Sequence, residues 1–121
     1  MTAREPPPLL DPATIDACLV GLAGWRRDGD RLIGVYRTHG WKGSAMLAGA
    51  VAHLCEVAWH HPELVVTWDR VEIRLWTHES GGVTARDTAL AAALDRFLRW
   101  APPAPLEGTP TGPRFGYLKP D

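Results

Sequence analysis

Residues 64–78 are LVVTWDRVEIRLWTH, and this pattern predicts a β-hairpin that turns at Asp69-Arg70. β-branched and aromatic side chains are frequent in both arms, residues 64–68 and 71–78. In the second arm apolar side chains alternate with polar ones, so one face of that strand should be buried. The buried face would carry Val71, Ile73, Leu75 and Thr77. The opposite face would carry Glu72, Arg74, Trp76 and His78.

A second hairpin is predicted upstream, with strands at residues 25–27 and 31–38. Its turn, Asp28-Gly29-Asp30, contains the Asp-Gly pair that is typical of tight hairpins. Alternation is imperfect in the second strand, because Leu32 and Ile33 are both apolar. Two hairpins of this kind can join into one four-stranded antiparallel sheet.

Two helices are predicted ahead of and between the hairpins. The first begins at Asp11-Pro12, an N-cap followed by proline at the first helical position, and ends at Gly24. The second spans residues 42–59, and Pro62 prevents it from continuing. Apolar residues at helical spacing form one stripe on each helix. These stripes are Ile15, Cys18, Leu19 and Leu22 on the first helix, and Leu47, Val51, Leu54 and Ala58 on the second.

A third helix is predicted after the second hairpin. It begins at Thr84-Ala-Arg-Asp87, which matches a capping box, and ends near Trp100. Its core stripe would be Leu90, Leu94 and Phe97. The resulting order, α-β-β-α-β-β-α, predicts an α+β fold in which three helices cover one face of a four-stranded antiparallel sheet.

The length of 121 residues indicates one domain, which we place at residues 11–100. Residues 1–10 contain three consecutive prolines and should form an extended arm. Residues 101–121 hold six prolines and three glycines, so this tail should lack a regular element and be mobile or lie on the surface.

Composition excludes several classes of protein. A net charge of −1 without a basic stretch argues against direct nucleic-acid binding. No window is long and apolar enough for a membrane span or a signal peptide. Cys18 and Cys55 both fall in apolar helical patterns, so we expect free cysteines of the core in a reducing compartment. These features predict a cytoplasmic location.

His60, His61 and His78 are the main candidates for chemistry. Histidine titrates near neutral pH, so a histidine cluster suits proton transfer. Glu56 lies one helical turn before His60, where it would face the same way and could orient the imidazole. Two structural alternatives stay open at this stage. The His-His pair could cap the second helix, and Asp87 could serve as a capping-box residue, a role that is compatible with a catalytic one.

A metal site is the other chemical alternative. His60, His78 and either Glu56 or Asp87 would supply two imidazoles and a carboxylate. The sequence contains neither H-x-H nor H-x-x-x-H, and adjacent helical residues point about 100° apart. These facts make a metal site the weaker interpretation. This region also contains three tryptophans. Tryptophan packs in a protein core more often than it stacks on a ligand, so we expect core positions for all three. They are Trp59, Trp68 and Trp76.

The spacing Glu56-x3-His60-His61-Pro62-x5-Trp68-x9-His78-x8-Asp87 resembles the signature of the pterin-4a-carbinolamine dehydratase family. The resemblance extends from about Asp11 to Leu98 and includes three shorter matches. These are Gly24-Trp25, Thr77-His78-Glu79 and Gly82-Val83-Thr84.

The resemblance implies loss of water from 4a-hydroxytetrahydrobiopterin or a related carbinolamine, which gives the quinonoid dihydropterin in tetrahydrobiopterin recycling. It implies no metal or organic cofactor. His60 and His78 would be the acid and base, and His61 would hold the pterin. Asp87 and Glu56 would set the tautomers of the imidazoles. The substrate-binding residues implied are Glu56, Trp59, Trp76, Thr77 and Glu79.

The chain departs from the family pattern at Trp59 and Trp76, where small polar residues are usual. We expect these tryptophans to narrow the pocket, stack on the substrate or change which pterin fits. The family also implies a homo-oligomer, dimer or tetramer. The alternative function is non-catalytic protein binding, as a dimerisation cofactor of a transcription factor or an assembly factor for Rubisco in carboxysomes.

Overall fold

A computed structural model of the chain describes residues 5–110 and 116–120. Its elements follow the predicted order α-β-β-α-β-β-α, so the predicted α+β fold is confirmed. A short 3-10 turn, His78–Ser80, lies between the last strand and the last helix. The helices are α1 (Pro12–Cys18), α2 (Trp41–Ala58) and α3 (Ala85–Leu98), and the strands are β1 (Trp25–Asp28), β2 (Arg31–Arg37), β3 (Glu63–Thr67) and β4 (Arg70–Leu75).

The four strands form one antiparallel sheet in the order β1-β2-β4-β3. The central pair is in a register that places Tyr36 opposite Val71 and Gly34 opposite Ile73. Gly34 is required by packing, because a Cβ at this position would come within 2.4 Å of the Trp25 ring. The predicted buried face of β4 is confirmed, and each of its side chains is fully buried. They are Val71, Ile73, Leu75 and Thr77.

The core lies between this sheet face and the three helices. α1 contributes Ile15, α2 contributes Leu47 and Val51, and α3 contributes Leu90 and Leu94. Burial of these side chains is the main source of stability in a domain of this size. The helices therefore cover one face of the sheet, as the sequence predicts.

Three predictions about the helices, one end and two buried positions, were wrong. α1 ends at Cys18 rather than at Gly24, because Leu19 caps it and Gly21 turns the chain with a φ of 84°. Cys18 is exposed instead of lying in the core, although Leu19 and Leu22 of the same predicted stripe do pack against the core. Phe97 is 56 % exposed, and its neighbour Leu98 packs against the core in its place.

β4 also ends earlier than predicted, at Leu75 rather than His78. Thr77 instead forms an isolated bridge with Gly82, and residues 78–80 curl into the 3-10 turn. This turn moves His78 out of the sheet. The prediction of core positions for the tryptophans was wrong at Trp59 and Trp68, which are 70 % and 68 % exposed.

A buried polar chain fastens α3 to the sheet. The indole N–H of Trp25 donates to the Tyr36 hydroxyl at 2.8 Å, and this hydroxyl donates to Asp95 at 2.7 Å. Arg99 donates to the same carboxylate oxygen at 3.0 Å. Burial and the bond to Asp95 raise the pKa of Tyr36 well above its ordinary value, so the hydroxyl stays protonated.

Part of the C-terminal tail returns to the sheet. Residues 101–110 contain no helix or strand, but Leu118 forms a bridge with Thr38 at the end of β2. Tyr117 packs so closely on α2 that a Cβ at Gly43 would come within 2.9 Å of it. The division into residues 1–10, 11–100 and 101–121 stays a prediction. Residues 1–4, 111–115 and 121, which belong to the predicted arm and tail, lie outside the described residues.

Cys55 is buried in the core as predicted, and burial raises the pKa of its thiol to about 11. Among residues 5–110 and 116–120, no helix is both long and apolar enough to cross a membrane.

Candidate active site

His60 is turned into the protein by the end of α2. Trp59 caps the helix in the left-handed conformation, with φ 53° and ψ 48°, which a residue with a side chain seldom adopts. The next N–H, that of His60, then donates to the carbonyl of Cys55 at 3.1 Å. As a result the His60 side chain points inward, and the residue is only 8 % exposed.

The inward imidazole meets Asp87 at the start of α3. Nε2 of His60 lies 2.5 Å from Oδ1 of Asp87, which has no exposed surface. The other carboxylate oxygen accepts from the Thr77 hydroxyl and from the Thr84 N–H, each at 2.8 Å. Asp87 is thus both a member of the capping box, as predicted, and the partner of His60. In its ionised form this carboxylate only accepts, so Nε2 of His60 carries the hydrogen.

Glu56 contacts His61 rather than His60. Its Oε1 lies 2.7 Å from Nε2 of His61, and both side chains are more than half exposed. The prediction that Glu56 would face His60 was wrong, because the one-turn rule holds only while the helix continues. α2 ends at Ala58, and the left-handed Trp59 reverses the direction of the following residues. The edge of the Trp59 ring also contacts His61, with ring centroids 4.9 Å apart.

His78 is exposed at the start of the 3-10 turn, and a tryptophan lies against it. The rings of Trp76 and His78 are stacked, with centroids 4.5 Å apart and an angle of 25° between their planes. The guanidinium of Arg31 lies 4.1 Å from the centroid of Trp76. The two side chains are neighbours, as the alternation of the strand predicts, although the strand itself stops at Leu75.

The three histidines meet at one cavity of about 330 Å³, which is open to solvent. Its lining residues are Trp59, His60, His61, His78, Glu79 and Arg86. Three of the residues expected to bind substrate, Glu56, Trp76 and Thr77, are absent from this lining. Trp76 instead holds His78, and Thr77 is buried against Asp87.

Arg86 also lines this cavity and was not among the site residues predicted from the sequence. Its guanidinium donates to Glu79 Oε1 at 3.2 Å and to the Trp59 carbonyl at 2.9 Å. It therefore ties the end of α2 to the 3-10 turn. Its position beside Asp87 in the first turn of α3 is the signal that places it at this end of the fold.

The arrangement is suited to proton transfer. Three imidazoles face a cavity of the size that binds small ligands, and two of them are oriented by carboxylates. Across residues 5–110 and 116–120, no three His, Cys, Asp or Glu side chains are grouped as metal ligands. The metal alternative therefore has no ligand set in the described part of the chain.

Comparison with known proteins identifies the family. Residues 8–97 match the sequence model of the pterin 4 alpha carbinolamine dehydratases. The chain belongs to this family. The resemblance predicted from the spacing of Glu56, His60, His78 and Asp87 is thereby confirmed.

Two relatives illustrate the match, and both carry the name pterin-4-alpha-carbinolamine dehydratase provisionally. A protein of Thermomicrobium roseum is 42 % identical over 85 residues, which cover 70 % of this chain and 91 % of the relative. A protein of Aquifex aeolicus is 38 % identical over 81 residues, which cover 67 % of this chain and 82 % of the relative.

A solved structure has the same fold. It is a Brucella melitensis protein described as a transcriptional coactivator/pterin dehydratase, with a TM-score of 0.66 and 24 % identity. The match covers 72 % of this chain and 95 % of the Brucella chain. At this identity the comparison concerns the architecture of the pterin dehydratase domain and not its activity.

Proposed function

We propose that this protein dehydrates a pterin-4a-carbinolamine, such as 4a-hydroxytetrahydrobiopterin, to the quinonoid dihydropterin and water in tetrahydrobiopterin recycling. The observation that carries the proposal is the meeting of His60, His61 and His78 at one cavity, with His60 held by the buried Asp87. Membership of the dehydratase family supports the same reaction.

The reaction needs one acid and one base. The acid protonates the 4a-hydroxyl, and the C4a–O bond then breaks with release of water. The base removes a proton from the ring nitrogen next to C4a, and the freed electron pair forms the C=N bond. No electron is gained or lost, so the reaction needs no redox cofactor, and two histidines can supply both proton transfers.

We assign the acid and base roles to His60 and His78, which line the cavity together. Asp87 fixes the tautomer of His60 and so leaves Nδ1 of that ring as the nitrogen that exchanges a proton. His61 holds the pterin, and Glu56 orients the imidazole of His61. Glu79, Trp59 and Arg86 line the same cavity, and we assign all three to substrate binding.

Besides Glu56, two residues expected to bind substrate take a different role in this proposal. Trp76 orients the exposed ring of His78 through their stacked contact. Thr77 orients Asp87, to which its hydroxyl donates. Both act on the pterin only through a histidine.

The proposal is tested by following loss of the carbinolamine absorbance in a stopped-flow experiment. We expect His60→Ala and His78→Ala each to lower kcat by at least about 100-fold, the usual contribution of a general acid or base. His53→Ala is the matched control, since His53 is an exposed histidine of α2. Equal rates in all four proteins, or a wild-type rate no higher than the spontaneous one, would refute the proposal.

A second candidate function is protein binding. α2 exposes three large apolar side chains, Trp41, Met46 and Val57, each more than half accessible to solvent. The Brucella protein of the same fold is described as a coactivator as well as a dehydratase. The partner would be a transcription factor, a Rubisco assembly intermediate or a second copy of this chain, as a dimer or tetramer.

Sedimentation and affinity capture separate these partners. Met46→Lys should weaken self-association if copies of this chain meet on α2, whereas His60→Ala should leave it unchanged. Stoichiometric capture of one foreign protein that survives His60→Ala would favour the binding function over catalysis. We place the protein in the cytoplasm and expect no direct nucleic-acid or membrane partner.

A further inference from the structure

A second cavity adjoins the histidine cavity, below the N-terminal arm. It has a volume of about 640 Å³, and its lining residues are Glu5, Pro6, Pro7, Trp59, Glu79 and Arg86. Trp59, Glu79 and Arg86 line both cavities. A ligand whose reactive part lies among the histidines would therefore extend into this arm cavity if it carried a substituent.

The arm is fixed over the site by contacts with residues 80–84. The hydroxyl of Ser80 donates to the Pro7 carbonyl at 2.5 Å, and the N–H of Leu10 donates to the Val83 carbonyl at 2.9 Å. Leu9 forms an isolated bridge with Thr84. Consecutive prolines restrict the backbone of the arm, so Glu5 extends from a stiff segment.

Half of the residues that line the arm cavity lie outside the segment matched by the family model. The segment that the family model matches begins at residue 8, so Glu5, Pro6 and Pro7 lie outside it. Trp59 also stands where the family pattern usually has a small polar residue. The arm residues and Trp59 therefore line the same cavity.

The chemistry of the arm cavity favours a neutral ligand rich in hydroxyl groups. Glu5 and Glu79 present carboxylates, which accept hydrogen bonds from hydroxyls and repel other carboxylates. The Arg86 guanidinium already donates to Glu79 and to the Trp59 carbonyl. The flat, exposed Trp59 ring and the proline rings offer apolar surface to the C–H groups of a carbon chain.

We propose that the arm cavity binds a polyhydroxylated side chain at C6 of the pterin, so that the protein prefers such pterins to those with a methyl group at C6. C6 is separated from C4a by a single ring nitrogen, so the side chain would leave the ring close to the reacting centre. That the bound ring is a pterin rests on the proposed function.

The test measures binding without turnover. Calorimetry gives Kd for three dihydropterins that differ only at C6, carrying a methyl group, a trihydroxypropyl chain (dihydroneopterin) or an aminobenzoylglutamate chain (dihydrofolate). Each is titrated into the full-length protein, into Glu5→Gln and into Glu107→Gln. Glu107→Gln makes the same charge change at an exposed glutamate of the tail.

We expect wild type and Glu107→Gln to bind dihydroneopterin at least about fivefold more tightly than the methyl compound, the scale of one hydrogen bond to a charged acceptor. Glu5→Gln should lose most of this preference and keep the affinity for the methyl compound. Equal affinities in wild type, or tightest binding of dihydrofolate, would overturn the inference. If the protein dehydrates the carbinolamine but shows no side-chain preference, only the inference about the arm cavity is overturned. If it shows the binding preference but no dehydration, only the proposed function is overturned.

Discussion

Nε2 of His60 lies 2.5 Å from Oδ1 of Asp87, while the second oxygen of this carboxylate accepts from the N–H of Thr84 and caps α3. From the sequence these were two separate interpretations of Asp87, and the geometry joins them. One buried carboxylate orients an imidazole and begins a core helix, so the proposed catalysis and the stability of the fold are coupled at this residue.

Asp87→Asn should impair both properties. The amide can donate to the imidazole, which would force the hydrogen of His60 onto the wrong nitrogen. We expect kcat to fall at least about 100-fold and the free energy of unfolding to fall by about 1 kcal/mol through the weakened cap. Asp11→Asn is the control, since Asp11 caps α1 with a 2.8 Å bond from the Thr14 N–H. A stability loss with unchanged kcat would show that Asp87 only caps.

Glu56→Gln should act on substrate affinity instead of the chemical step. Glu56 contacts the half-exposed His61, and His61 is the residue that we assign to holding the pterin. Because the pair is solvent-exposed, we expect KM to rise only a few-fold and kcat to stay within about twofold of wild type. Steady-state kinetics measure the two constants. A fall in kcat at constant KM would instead place His61 in proton transfer.

Trp76→Thr tests whether the stacked tryptophan positions His78. The ring centroids are 4.5 Å apart, and His78 itself is exposed, so little else restrains its ring. We expect kcat to fall about tenfold through lost orientation, with Kd for a dihydropterin unchanged. Trp76→Phe keeps an aromatic face and should restore most of kcat. Weaker pterin binding in Trp76→Thr would mean that Trp76 contacts substrate after all.

The sequence predicted the sheet and the helix order because both depend on repeating patterns. The alternation from Val71 to Thr77 corresponds to a buried face, and the capping box at Thr84 begins α3. Patterns fail where one residue changes the chain direction. Left-handed Trp59 breaks the helical spacing that paired Glu56 with His60, and α1 stops before Gly21, where the predicted helix continued to Gly24.

The composition of the cavity was harder to predict. His60, His61 and His78 were found by residue type, but Arg86 enters only because the start of α3 meets the end of α2 in space. The arm was predicted to be extended, and its position over Trp59 depends on contacts with residues 80–84. Contacts between distant segments of this kind leave no periodic signal in the sequence.

The cysteines should differ in reactivity. Cys18 is exposed, whereas Cys55 is buried with a pKa raised to about 11, so its nucleophilic thiolate is scarce at neutral pH. We expect an aromatic disulfide reagent to modify one thiol in the folded protein and both thiols in denaturant. Cys18→Ser should abolish the fast reaction, and Cys55→Ser should leave it unchanged. Two fast thiols in the native protein would contradict the burial of Cys55.

Tyr36 should make stability depend on alkaline pH. Its folded pKa is raised above the ordinary value of 10 by burial and by the bond to Asp95, so the folded state holds the proton more tightly than the unfolded state. The stabilisation is therefore complete below about pH 10 and is lost as pH rises toward the folded pKa. Urea unfolding should show a falling free energy above pH 10 in wild type. Tyr36→Phe should lose about 1–2 kcal/mol at pH 7 and lack most of this alkaline decline, whereas Tyr117→Phe should retain it. An identical decline in Tyr36→Phe and wild type would assign the alkaline effect to other groups.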